Sequence, residues 1–135
     1  REAVCLILLG HQFGRCHAEI SGYEHPWYVF DPAHWNAYEH GLGYFSLYSM
    51  GVNSGRMRPR VTAQGKRQWE MGLGGGEPFM MLPTDVALWW CPKFREHVKY
   101  YDNNRLQFKL DAVVTFKKLV ELGCEGMLTE ERGGV

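Results

Sequence analysis

The stretch GHQFGRCHAEISGYEHPW, residues 10–27, decides how the rest of the chain is read. It carries three histidines, one cysteine, three glycines and a Pro26-Trp27 pair. Those residue types alone admit a metal cluster, a single axial ligand or ordinary core packing. Ahead of it, Val4, Ile7 and Leu8, with Ala3 beside them, fall on one face of a short helix over residues 1–9, with Gly10 as its stop. No capping residue precedes that helix, so it is expected to begin upstream. Beyond it, residues 12–30 mix Gly, Pro and aromatics and read as loop with short extended pieces.

The bulk properties bound the function class. The 135 residues fit one domain or a piece of one. An apolar share of 45% is enough for a core and too high for a disordered chain. Zero net charge gives no global electrostatic case for nucleic acid or an anionic membrane. Cys5, Cys16, Cys91 and Cys124 form no CxxC, which argues against a disulfide framework or zinc ribbon and favours a reducing compartment. No apolar run approaches the ~20 residues of a membrane span. The chain starts Arg1-Glu2, so a processed or truncated product of something longer is expected, and a removed presequence suits a mitochondrial location.

Farther along, Asp31-Pro32 reads as a helix start, with Trp35 and Tyr38 on one face and Gly41 as stop. Residues 44–48 read as a strand and 51–55 as a turn, so the expected β element is a small irregular hairpin. Between Glu39 and Glu70 there is no acid, while Arg56, Arg58, Arg60, Lys66 and Arg67 are basic. A solvated hairpin rim explains this stretch; an acidic or RNA partner is the sharper alternative. The glycine run 72–76 lacks the Lys-Ser/Thr of a phosphate-binding loop. Thr84 is placed to cap a short helix with Asp85 in its first turn. Pro92 opens another helix to about Tyr101, and residues 102–104 break it. Leu106, Leu110, Val113, Val114, Phe116 and Val120 then recur at three- and four-residue steps, an amphipathic helix of ~17 residues closed by Gly123. The tail over 124–135 reads as loose.

Six histidines, His11, His17, His25, His34, His40 and His97, show no zinc-ligand spacing, and there is no GxSxG turn for a serine hydrolase. A single axial histidine needs no partner in sequence, because one ligand holds a haem iron. Its second ring nitrogen then wants a carboxylate. His11 and Asp85 have the right chemistry, although spacing alone does not bring them together, and a lone histidine in this setting is more often a satisfied core residue.

Gly14-Arg15-Cys16-His17, Ser21-Gly22-Tyr23 and Pro26-Trp27 stand at offsets from His11 that resemble the proximal segment of class I haem peroxidases, the ascorbate and cytochrome c peroxidase group. Met80-Met81-Leu82-Pro83-Thr84-Asp85 resembles that group's proximal Asp motif, and residues 92–123 resemble its last two large helices. Gln68-Trp69 suits the segment ahead of the Asp motif. The resemblance covers most of residues 1–123 and is weak over about 43–66. It implies a mainly α fold, the C-terminal proximal half of the haem-peroxidase fold, over residues 1–123, with 43–76 as a divergent hairpin and glycine-loop insertion. It further implies His11 as haem iron ligand, Asp85 as acceptor of its other N–H, and Trp27 beside the imidazole, where cytochrome c peroxidases store an oxidising equivalent. Arg15 and His17 would approach a haem propionate, and Met80, Met81 and Leu82 would lie near the proximal pocket.

In that group a distal helix bearing His, Arg and usually Trp precedes the proximal histidine by well over a hundred residues, whereas ten residues precede His11. Leu9-Gly10, Gln12-Phe13 and His25 also depart from the group's usual Gly-Ala, Thr-Leu and Gly. The resulting expectation is a peroxidase-derived, non-catalytic accessory subunit of a larger organellar assembly, with other protein subunits covering its apolar distal-facing surface. The alternative is the proximal half of an active haem b peroxidase that reduces hydrogen peroxide with ascorbate or cytochrome c as donor. A haem-binding module without turnover stands between them.

Overall fold

The computed structural model describes residues 1–27, 47–72 and 76–124. The predicted helix start at Asp31-Pro32, the middle of the glycine run and the tail beyond 124 lie outside the described residues. The architecture is mainly helical with a small antiparallel sheet. Helices α1 (Glu2–Phe13) and α2 (Ala18–Ser21) are followed by a π-helical segment (Leu47–Asn53), strands β1 (Arg58–Val61), β2 (Arg67–Met71) and β3 (Phe79–Met81), and helices α3 (Pro83–Trp90), α4 (Pro92–Asn103) and α5 (Arg105–Glu121).

α1 packs its Val4, Cys5 and Leu8 face against α5, with α4 alongside. At the exposed end, Arg1 hydrogen-bonds Tyr101 Oη at 3.2 Å and pairs with Asp111, and Lys118 reaches Glu2 at 3.1 Å. Gly10 does not stop α1. The helix continues one more turn, which places His11 inside it rather than just past it. An interior glycine costs only ~1 kcal/mol relative to alanine, an amount that packing of the preceding face readily offsets.

The β element is a three-stranded sheet of order β1-β2-β3 rather than a hairpin alone. Gly65, at φ 76°, lies in the turn between β1 and β2. The ladder runs from Arg58 opposite Glu70 to Val61 opposite Arg67, and Trp69 faces Met81 across β2 and β3. The strand predicted over 44–48 is not formed at its described end: Leu47 and Tyr48 belong to the π-helix. Tyr48 is fully buried and stacks on Trp89 of α3 at 5.6 Å, so tertiary packing overrides the strand propensity of an aromatic run.

Sequence punctuation places the last three helices well, with two corrections. Leu82, not Thr84, is the N-cap of α3, because Pro83 occupies the first helical position and Asp85 the third. α5 has the predicted length, but Leu106, Leu110, Val113, Val114, Phe116 and Val120 are each more than half exposed. Its core-facing residues are Phe108, Ala112 and Thr115. Apolar residues surround this helix, and the stripe legible in sequence is its outer face.

Candidate functional site

Asp85 organises the interior. Its side chain is fully buried and lies in the first turn of α3, where the helix dipole favours negative charge. Its Oδ2 accepts the Leu82 backbone N–H at 2.8 Å and the Trp27 indole N–H at 2.7 Å. Its Oδ1 lies 2.7 Å from His11 Nδ1. A carboxylate has no proton to give, so the imidazole nitrogen is the donor there. Burying a carboxylate is costly unless its lone pairs are used, and three donors from three segments use them. His11 and Trp27 stack with ring centroids 4.2 Å apart and an interplanar angle of 18°. Gly14 permits the indole's approach, since a Cβ there would stand 3.2 Å from the Trp27 ring.

The sheet holds the segment that carries Trp27. Thr62 Oγ1 donates to the Gly22 carbonyl at 2.7 Å. The fully buried Gln68 side chain accepts the Glu24 N–H at 2.9 Å and donates to the Glu24 carbonyl at 3.0 Å, acting as a bridge between strand and loop. Met80 N–H donates to the Pro26 carbonyl, and Cys16 N–H to the His25 carbonyl, both at 3.0 Å. Met80 and Met81 are fully buried and belong to the same core cluster as Trp27.

Arg15 and His17 are not drawn into this cluster. Arg15 Nη2 pairs with Glu77 at 2.6 Å and is half exposed; His17 lies 3.6 Å from Glu19 at the start of α2. Burial raises the Cys16 and Cys5 thiols above their ordinary range. The four cysteines are free thiols. Of the basic stretch, Arg60 bonds Glu24 and also Glu70, the latter at 2.6 Å; hydrogen bonding to Arg60 holds the Glu24 carboxyl below its usual range. Arg56, Arg58, Lys66 and Arg67 are exposed, as a solvated rim requires. Sequence reasoning missed Gln68's role and the cluster around His25. The one available signal for the latter was a histidine in a position suited to glycine: His25 has φ 74°, in the left-handed region. No helix among the described residues is long and apolar enough to cross a membrane.

No family model matches the chain. Among curated proteins it is 36% identical over 115 residues to a "Putative heme-binding peroxidase" of Cryptococcus neoformans var. neoformans serotype D, covering 85% of this chain and 31% of that protein. A protein of the same name from Aspergillus fumigatus is 34% identical over 118 residues, covering 84% and 34%. "Cytochrome c peroxidase, mitochondrial" of the same Cryptococcus variety is 33% identical over 120 residues, covering 84% of this chain and 26% of that protein. The chain thus spans between a quarter and about a third of the length of these relatives.

Proposed function

Since the chain is a relative of the class I haem peroxidases, we propose that it forms the proximal half of a haem peroxidase and ligates haem b iron through His11. The observation that carries this reading is the bonding of His11. A buried carboxylate occupies Nδ1 at 2.7 Å, which leaves Nε2 of a partly exposed ring as the available ligand atom. This donor set fits an axial ligand with its outer partner already in place. When bound, the haem would supply the redox chemistry for reducing hydrogen peroxide. The protein residues have separate tasks. Asp85 fixes the imidazole tautomer and raises its basicity. Trp27, stacked on the ring and tethered to the same carboxylate, bars its rotation. Arg15 and His17 are the proposed propionate-side cations. A mitochondrial location carries over from the relatives so named, with cytochrome c or ascorbate as donor.

The second reading is a non-catalytic accessory subunit. The outer face of α5, whose exposed apolar residues suit burial against another polypeptide, is compatible with it. Both readings require such a cover. In the first, the cover is the polypeptide that carries the distal residues, upstream or on a partner subunit; in the second, it is another subunit of an assembly. The test uses the full-length protein with its bound partners, reconstituted with haem b. Stoichiometric Soret absorbance and peroxide-dependent donor oxidation, both lost in His11→Ala, support the peroxidase reading. An intact assembly that takes up no haem supports the accessory one.

A further inference from the structure

A second constellation lies where the residues just before Pro26 and Trp27 meet β2. Glu24, His25 and Glu70 each offer one ligand atom, and these atoms all lie within 4.8 Å of one another. His25 Nε2 is 3.8 Å from Glu24 Oε2 and 3.7 Å from Glu70 Oε1. Around a tetrahedral zinc ion with ligand bonds of about 2.0–2.2 Å, donor atoms stand roughly 3.3–3.6 Å apart, so a small inward movement of each side chain closes the set. The other ring nitrogen, Nδ1, lies 3.1 Å from Glu77 Oε1. That bond holds the ring with Nε2 facing the two glutamates. Metal-binding histidines characteristically have this carboxylate–imidazole arrangement.

Charge is consistent with a cation here. Three carboxylates, Glu24, Glu70 and Glu77, face two guanidiniums, Arg15 and Arg60, so the carboxylates outnumber the guanidiniums by one. Arg60 bridges Glu24 and Glu70 and stands where an ion would be held between them. Its side chain is more than a third exposed, so it has room to withdraw.

We propose that Glu24, His25 and Glu70 form a binding site for a divalent first-row transition metal ion of the zinc type, with Glu77 orienting the imidazole and Arg60 occupying the site in the metal-free state. The ligand set of one imidazole and two carboxylates suits such ions, and it leaves a fourth position open. The ion would clamp the loop bearing Trp27 to β2, beside the bridge that Gln68 makes to Glu24. This site is separate from His11 and does not depend on the peroxidase reading.

The experiment is calorimetric titration of Zn2+ into the full-length, chelator-treated protein without added haem, followed by a Co2+ visible spectrum to identify the donor atoms. One strong site with nitrogen and oxygen donors is expected. His25→Gly removes the ligand and relieves the positive-φ strain, so the variant keeps its fold; its zinc affinity should fall at least tenfold, as should that of Glu70→Gln. Glu77→Gln should weaken binding about tenfold. Arg60→Ala should tighten it, because the competing guanidinium is gone; a purely structural Arg60 clasp would predict no gain. Absence of zinc binding, a thiolate–cobalt charge-transfer band, or unchanged affinity in His25→Gly would overturn the proposal.

Discussion

The surroundings of Asp85 and the outer face of α5 use the same apolar richness in opposite ways. Around Asp85, a buried carboxylate accepts bonds from His11, Trp27 and Leu82, and the two rings stack on each other. On α5, seven large apolar side chains stand in solvent while Phe108, Ala112 and Thr115 do the inward packing. The first region satisfies its buried carboxylate from within the chain. The second leaves its apolar side chains uncovered. One chain thus holds a fully bonded interior carboxylate beside an uncovered apolar helix face, and mutations should separate the two regions cleanly.

The largest effect is expected at Asp85→Ala. Three donors lose their acceptor, at roughly 1–3 kcal/mol each, so chemical denaturation should report a loss of about 3 kcal/mol or more. A loss below ~1 kcal/mol would mean that water replaces the carboxylate, and the claim of a self-contained cluster would fail. Phe108→Ala, on the inner face of α5, should cost about 3–4 kcal/mol by leaving a cavity. Trp27→Phe keeps a ring against His11 but removes one donor, and should cost about 1–2 kcal/mol. If haem is bound, this variant should also shift the iron's spectrum. Val113→Lys, on the outer face, should stay within about 0.5 kcal/mol in the isolated chain. The same variant should weaken association with the covering polypeptide, measured by co-purification. A large stability loss there would place the outer face in the core after all.

The smallest effect is on acid stability. Hydrogen bonding to Arg60 holds the Glu24 carboxyl below its ordinary 4.5. Burial would raise Asp111, but Arg1, Gln107 and Tyr101 outweigh it and hold its carboxyl below 3.8. A depressed carboxyl contributes stability above its unfolded value and loses it as pH falls through the folded one. Stability should therefore decline modestly below about pH 4.5, and Arg60→Ala should flatten that decline.

Much of the helical frame was legible because proline, asparagine and glycine punctuate it. Pro83 and Pro92 open α3 and α4, Asn104 separates α4 from α5, and Gly123 follows α5 at φ 81°. The rest depended on contacts between distant residues. Gly10 looked like a stop, yet packing carries α1 through it. The aromatic run ending at Tyr48 looked extended, yet its described end is helical against Trp89. β3 is three residues long and exists only because β2 supplies its ladder. The direction of α5 could not be read, since a helix apolar on several sides does not announce which side is inward. At the candidate site, motifs nominated His11, Trp27 and Asp85. The Gln68 bridge and the charge cluster at His25 join residues more than 40 positions apart, and no local pattern marks them.

The bonds at Asp85 also set a timetable. Its partners His11 and Trp27 lie 74 and 58 positions earlier in the chain. During synthesis at roughly 5–20 residues per second, the imidazole emerges about 4–15 s before the carboxylate that orients it. Until then His11 can rotate freely and has no fixed tautomer. Long-range closure of this kind is slow relative to helix formation. The fixed orientation of the His11 ring is consequently among the last features of the fold to mature.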